Sequence, residues 1–263
     1  MTASDQSRPL LWQLALSHYS EKVRWALDHK RVAHRRRTAM PGLHIPIALW
    51  RSGGAATTFP ILEFGEDRFA DSTAAIAALE RRHPGRSLYP ADPSERRHAI
   101  ELEEYFDEGL GPAARLLPLH HLGSDPELLG EFASHAVPPP FSRAKRLLAA
   151  YARVYSGARF GVADATAVAP AGAQVLAAFD RIEAELSAGD GVHMVGGRFS
   201  VADLTAAALA CLLVLPPGGP LPPDLPLPPG LEGFRDEIRG RPAYRWVEDT
   251  YRRYRDAAVP TVA

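Results

Sequence analysis

A mixed α/β N-terminal half followed by an all-helical C-terminal half is the fold class predicted for this 263-residue chain. Three observations predict it. Over residues 10–82, short strand-like runs alternate with helix-like ones. The segment from His83 to Pro93 (HPGRSLYPADP) then sets three prolines and a glycine where no continuous helix can run. Beyond it, alanine-rich patterns of helical length dominate. The expected division is a first domain over 1–82, a linker over 83–93 and a second domain over 94–263. A chain of this size can bury one large core or two modest ones.

The elements follow in order. Leu10 to Leu16 alternates loosely, with Trp12, Leu14 and Leu16 on one side, and reads as a strand. Tyr19, Val23, Ala26 and Leu27 recur at helical spacing, which predicts a helix over 18–30. Val32 to Thr38 is a second strand, and His34 with the Arg35-Arg36-Arg37 run makes it exposed or an edge. An irregular segment precedes Pro60. Ile61 to Phe64 and Arg68 to Ala70 flank Gly65-Glu66-Asp67, a hairpin signature. Ser72 is expected to cap a helix that buries Ile76 and Leu79. In the second half, helices are predicted over about 94–117, 142–156, 171–187, 201–215 and 242–256, with His120 to Pro140 as a long connection. Ser200 and Asp203 have the spacing of a capping box. Pro216 to Gly230, dense in proline and glycine, reads as a stiff surface loop.

Composition narrows the function. A formal net charge of −1 offers no general case for a nucleic-acid partner. One cysteine, Cys211, forbids a disulfide framework and fits a reducing compartment, as a buried core residue. The N-terminus lacks the basic start and long apolar run of a signal peptide. Leu204 to Leu215 is the most apolar stretch, and it is too short to cross a membrane. The expectation is a soluble cytoplasmic protein without membrane insertion. The histidines, His120-His121 included, show no ligand spacing with carboxylates or cysteines, so no metal is expected.

Two segments carry chemistry: LALSHYSEKVRW over 14–25, and Thr58-Phe59-Pro60-Ile61-Leu62-Glu63 leading on to Asp71-Ser72. Ser17 sits between a strand and a helix. Its hydroxyl is too weak an acid to act as a base, but it can donate to a thiolate, and a helix N-terminus adds a field of the same sign. Its plainer role is a helix cap. A thiol has a reference pKa near 8.5. Lowering it by about two units requires roughly 2.7 kcal/mol of preferential thiolate stabilisation. Tyr19 and Ser20 are alternative hydroxyls, and Tyr19 also fits the buried face of its helix. Neither Ser17 nor Ser20 is cysteine, which argues against dithiol reduction. At Asp71-Ser72 the free amides of a helix start can receive a carboxylate, while Asp71 accepts from an ammonium group. A plain cap is the alternative. Pro60 before an apolar strand is compatible with either peptide isomer.

These segments, with GGRFSVADLTAAA over 196–208, resemble the glutathione S-transferase superfamily along nearly the full chain. The resemblance is to a serine-containing, cytosolic-type member. It implies a thioredoxin-like glutathione-binding domain followed by an all-helical co-substrate domain. Ser17 then occupies the activating position, where cysteine sits in thiol-transfer classes. Phe59-Pro60 matches the pair whose proline is cis, and Asp71-Ser72 the pair that grips the γ-glutamyl end of glutathione. Arg51 and His44 are both candidates for the glycine carboxylate. The implied activity is detoxifying conjugation of glutathione, as co-substrate, to a small, largely apolar electrophile by a homodimer. The second pocket would draw on the helix near Ser94 and on residues 120–140, with Leu110, Leu116, Leu117 and Leu119 as contributors. Two other readings stay open: a glutathione-assisted isomerase or hydrolase, and a non-catalytic binding protein on the same scaffold.

Overall fold

The computed structural model describes residues 8–255. Strand β1 (Leu10–Gln13) is parallel to β2 (Arg35–Thr38) and antiparallel to β3 (Ile61–Phe64), which turns into β4 (Asp67–Phe69). The four-stranded order is β2-β1-β3-β4. A parallel pair needs a crossover, and helix α1 (His18–His29) supplies it. Phe64 pairs with Asp67 across a two-residue turn, and Gly65 takes the left-handed backbone (φ 64°) this turn requires. β2 is the edge expected from its arginines, with Arg36 paired to Asp28 at 2.8 Å. β1 stops at Gln13 rather than Leu16. The chain must turn to enter α1, and Ser17 N–H donating to the Leu14 carbonyl (3.2 Å) closes that turn.

The segment expected to be irregular contains helix α2 (His44–Ser52). Only His44 and Ala48 are buried, so no apolar stripe announces it. Pro46 falls in its first turn, where its missing N–H costs nothing. Helix α3 (Ser72–Arg82) follows, and its cap is Asp71, not Ser72. Asp71 has the extended backbone of a cap (φ −142°, ψ 146°) and accepts from Ala74 N–H at 2.9 Å. Ser72 is the first helical residue and is buried.

The second half is helical throughout: α4 (Pro93–Tyr105), α5 (Gly111–Gly123), α6 (Pro126–Ser134), α7 (Lys145–Phe160), α8 (Val168–Ala188), α9 (Val201–Val214), α10 (Pro229–Arg239) and α11 (Pro242–Tyr254). The single helix predicted over 94–117 is two, because a π-helical turn at Phe106–Leu110 joins α4 to α5. Residues 120–140 are not a long connection. They hold the end of α5 and all of α6, which Asp125 caps by accepting from Glu127 and Leu128 N–H. Asp125-Pro126 is a helix-start signature in its own right. The proline-rich loop is pinned by buried Leu221 and Leu225, and α10 begins at Pro229 inside it.

Helix α9 is buried over all fourteen residues and packs on α1, α4, α5 and α11, so it is the centre of the molecule. Asp203 fixes its start, accepting from Met194 N–H (2.9 Å) and Ser200 N–H (2.8 Å). Cys211 is buried in it, as expected, and burial pushes its thiol pKa up. Among the described residues, no single helix is long and apolar enough to cross a membrane.

A buried ion cluster joins the two halves. Lys22 of α1 is fully buried, and its ammonium lies 2.8 Å from Glu103 of α4 and 2.6 Å from Asp107 of the π-helical turn. It also donates to Thr73 of α3 at 3.1 Å. Removing one partner of a buried pair strands the others, at a cost of about 3–5 kcal/mol. Lys22→Met is therefore expected to lower unfolding free energy by about that amount in urea melts. Adding Glu103→Gln should recover part of it, by removing one stranded charge. A Lys22→Met protein of parental stability would show that the cluster contributes nothing to docking.

Candidate active site

The elements around β1 converge on a cleft of about 400 Å³. Its sheet-side wall contains Ser17, Tyr19, Phe59, Pro60, Asp71 and Ser72, and its helical wall comes from the π-helical turn and from α5, α6 and α7. All five residues picked out from the sequence, Ser17, Phe59, Pro60, Asp71 and Ser72, thus line one cleft.

The local structure separates the three hydroxyls at the start of α1. Ser17 is the cap, and its oxygen accepts from Ser20 N–H at 3.2 Å. That leaves the Ser17 hydroxyl proton with no acceptor among the described residues. Ser20 is fully buried and turns away from the cleft, accepting from Leu14 N–H at 3.3 Å. Tyr19 lines the cleft, but its hydroxyl already donates to the Asp107 carbonyl at 2.7 Å. Burial, with the Asp107 charge beside it, pushes the Tyr19 pKa up, so the phenol stays protonated. Gly111 begins α5 against the Tyr19 ring, and a Cβ there would collide with the Tyr19 hydroxyl.

The Phe59–Pro60 peptide bond is cis. Phe59 is buried, and no described residue accepts its backbone N–H. At α3, Asp71 uses Oδ1 for the cap, and Oδ2 makes no bond to a described residue. The Ser72 and Thr73 N–H groups, the first two of the helix, have no acceptor among the described residues. Donors and a carboxylate oxygen therefore share one short stretch of wall, as recognition of a zwitterionic amino-acid head requires.

Arg51 and His44 do not reach the cleft. Arg51 pairs with Glu63 at 3.3 Å and lies over the Trp12 ring. His44 is buried under the wall, with Nδ1 accepting from Gly42 N–H. Of the four leucines, Leu119 lines the cleft, while Leu110 and Leu117 belong to the core and Leu116 packs half-buried against it. The helical wall is instead built from Phe132, Val137, Tyr151, Tyr155 and Phe160, with Arg115 among them. Tyr151 donates to the Pro41 carbonyl, and Arg159 to Thr57 Oγ1 at 3.2 Å, so α7 is tied across the cleft to the first domain. Phe132 and Val137 fall in the 120–140 stretch expected to contribute, whereas nothing in the sequence marks the aromatic residues of α7, since aromatic residues at helical spacing serve a core equally well. No group of three or more metal-ligating side chains occurs among the described residues.

Residues 11–87 match the family model of the glutathione S-transferase N-terminal domain. Glutathione S-transferase 1 of Dianthus caryophyllus is 28% identical over 62% of this chain and 76% of its own length. Probable maleylacetoacetate isomerase 2 of Drosophila melanogaster is 26% identical over 62% of this chain and 72% of its own. The theta class glutathione S-transferase of Xanthomonas axonopodis pv. citri, solved with glutathione bound, superposes with a TM-score of 0.54 at 20% identity, covering 96% of this chain and 99% of its own.

His18 borders the cleft as a buried residue and makes a pH test of its burial. Its Nε2–H donates to the Gly111 carbonyl at 2.9 Å. Burial, and secondarily the positive charge of Arg115, pull its pKa from 6.5 down to about 3, against the smaller opposing effect of that hydrogen bond. The unfolded chain takes up this proton below about pH 6.5 and the folded one only near 3. Stability from this group is therefore full above 6.5 and is lost as pH falls through that window. Between pH 7.5 and 5.5 the loss should be about 1.4 kcal/mol. Urea melts at the two pH values check it. In His18→Gln, which keeps a donor but cannot titrate, the difference should shrink by that amount.

Proposed function

Because the chain belongs to the glutathione S-transferase superfamily, we propose that it binds glutathione along the sheet-side wall and transfers its thiolate to a small electrophile held by the helical wall. The observation that carries this reading is the uncommitted hydroxyl proton of Ser17, facing the cleft at the N-terminus of α1. A thiolate is the acceptor it lacks. The helix-end amides add to the same stabilisation, and together they supply the roughly 2.7 kcal/mol that a two-unit fall in thiol pKa demands.

In this reading the γ-glutamyl head sits at the start of α3. Its carboxylate takes the Ser72 and Thr73 amides and its ammonium takes Asp71. The free N–H of Phe59 bonds the peptide portion as an added strand would. The thiol releases its proton to solvent. Its sulfur lone pair forms the new carbon–sulfur bond, and the leaving group departs with the bonding pair. Proximity of the two held reactants supplies the remaining acceleration. The first domain, 1–82, serves glutathione, and the second, 94–263, serves the co-substrate across the 83–93 linker. A cytoplasmic homodimer without a resident metal belongs to the same proposal.

The likeness to a probable maleylacetoacetate isomerase favours one second reading. There the thiolate adds to a double bond, a bond rotates, and the thiolate leaves again. Net consumption of glutathione separates the two, since conjugation consumes it and isomerisation does not. A protein that binds no thiol at all would support the non-catalytic alternative.

Calorimetric titration with glutathione, followed by thiolate absorbance against pH in the bound state, tests the proposal. Ser17→Ala should raise the bound thiol pKa, keep most of the affinity and lower turnover by about a hundredfold. Asp71→Ser keeps a helix cap but removes the charge, and should weaken glutathione binding by about tenfold or more. An unchanged thiol pKa in Ser17→Ala would reject the role given to that hydroxyl.

A further inference from the structure

Arg115, on α5, is a cation the fold does not neutralise. It lines the helical wall of the cleft and is half-buried, and this partial burial pulls its pKa down. Yet it forms no hydrogen bond or ion pair with any described residue. Its guanidinium carbon stands 4.3 Å from the centre of the Phe160 ring, which is a contact for one face only. The charged and titratable groups around it are His18 and Tyr19 of α1 and Tyr155 and Arg159 of α7, and none is a carboxylate. Arg159 repeats the sign of its charge. Of the three acids in the cleft, Asp71 caps α3 on the sheet-side wall, Asp107 is committed to Lys22 and Thr73, and Glu108 is exposed and pairs with no described residue.

Several other cations drawn into the fold meet carboxylates among the described residues. Lys22 has two carboxylates, Lys30 has Glu80, and Arg255 has Glu21 and Asp28. Arg115 has no such partner, and it faces the part of the cleft where the second substrate would sit. A half-buried guanidinium with no counter-ion keeps its hydrogen-bonding capacity for a ligand that enters the cleft. The planar fork of arginine matches a carboxylate in two parallel hydrogen bonds. Beside it, Tyr151 and Tyr155 stack parallel, 6.1 Å apart, and Phe160 meets Tyr155 edge-on. That surface suits a flat apolar body.

We propose that the second substrate is an acid, an electrophile with an aromatic or otherwise flat apolar body bearing a carboxylate, and that Arg115 is the specificity-determining residue that takes that carboxylate. The proposal rests on the transferase reading for its use in turnover, but the anion subsite itself does not. It refines the small, largely apolar electrophile that the sequence suggested.

The test is a matched pair of aryl chlorides, 4-chloro-3,5-dinitrobenzoate and its methyl ester. In both, the glutathione sulfur forms a bond to the ring carbon and chloride leaves with the bonding pair. Each kcat/KM is normalised to the uncatalysed reaction with glutathione. The parent protein should prefer the acid by at least tenfold. Arg115→Gln should abolish that preference and change the ester rate less than threefold, and Arg115→Lys should restore part of it. Equal losses for acid and ester in Arg115→Gln would overturn the proposal. So would an unchanged preference accompanied by weaker glutathione binding, which would assign the arginine to glutathione's own carboxylate, or by a raised thiol pKa, which would assign it to the thiolate. Calorimetry with the unreactive 3,5-dinitrobenzoate and its methyl ester, without glutathione, isolates the subsite. Tenfold tighter binding of the acid, lost in Arg115→Gln, supports the subsite even if neither chloride is turned over, in which case only the transferase reading falls. Equal binding of acid and ester by the parent protein would sink the subsite whatever the turnover.

Discussion

The ammonium of Lys22 is the constraint from which the geometry of the cleft follows. A fully buried charge on α1 must be met by carboxylates, and the first domain offers it none at contact distance. Glu103 and Asp107 come from the second domain, so the two halves have one low-energy docking position. Glu103 and Asp107 are four residues apart, the spacing that sets two side chains on one helix face, so both reach the same ammonium. The π-helical turn presents the Asp107 carbonyl to Tyr19 and leads into the Gly111 carbonyl that receives His18. Neutralising one lysine therefore also fixes the two residues that follow Ser17. An apolar contact of equal area would hold the halves together with less control over register.

With that register set, three neighbouring hydroxyls acquire three different roles. Ser20 is spent on the backbone behind the site, and Tyr19 on the π-helical turn. Ser17 accepts as a cap and keeps its proton. Sequence order alone does not distinguish them, because residues 17, 19 and 20 all fall within one helical turn. What separates them is the direction each takes from the helix start, and which neighbour, backbone or second domain, meets it there.

Legibility in the sequence followed the range of the interactions. The strand, helix, strand, hairpin order of the first domain was readable, because period-two alternation, Gly65 and the capping residues act over a few positions. So were the all-helical second half, Cys211 as core and the cluster Ser17, Phe59, Pro60, Asp71 and Ser72. The misses arose where a local signal was weak or ambiguous. Helix α2 buries two residues and has no stripe. Asp71 and Ser72 are both good caps, and only the backbone angles of Asp71 decide between them. The π-helical break between α4 and α5 has no period or capping residue to announce it in the sequence. Arg51 and His44 were reasonable cations near Pro60, but Glu63 and Gly42 already hold them.

The helical wall was the least legible part, and the reason lies in how α7 is held. Its position depends on α6, where Gly130 lets the Lys145 carbonyl approach closer than any side chain would allow. It depends also on two hydrogen bonds that cross the cleft, from Tyr151 to Pro41 and from Arg159 to Thr57. Each joins residues about a hundred positions apart, so no window of sequence contains it. Yet these contacts set the distance between Arg115 on α5 and the aromatic side chains of α7, and so the size and charge of what fits between them. The half of the cleft made from strand ends and helix starts reuses free backbone amides that any sequence with that fold must expose. The half made from side chains on packed helices can change its aromatic residues and its one unpaired arginine without disturbing a cap or a strand. Selectivity for a second reactant can therefore vary on the helical wall while the thiol end stays constant.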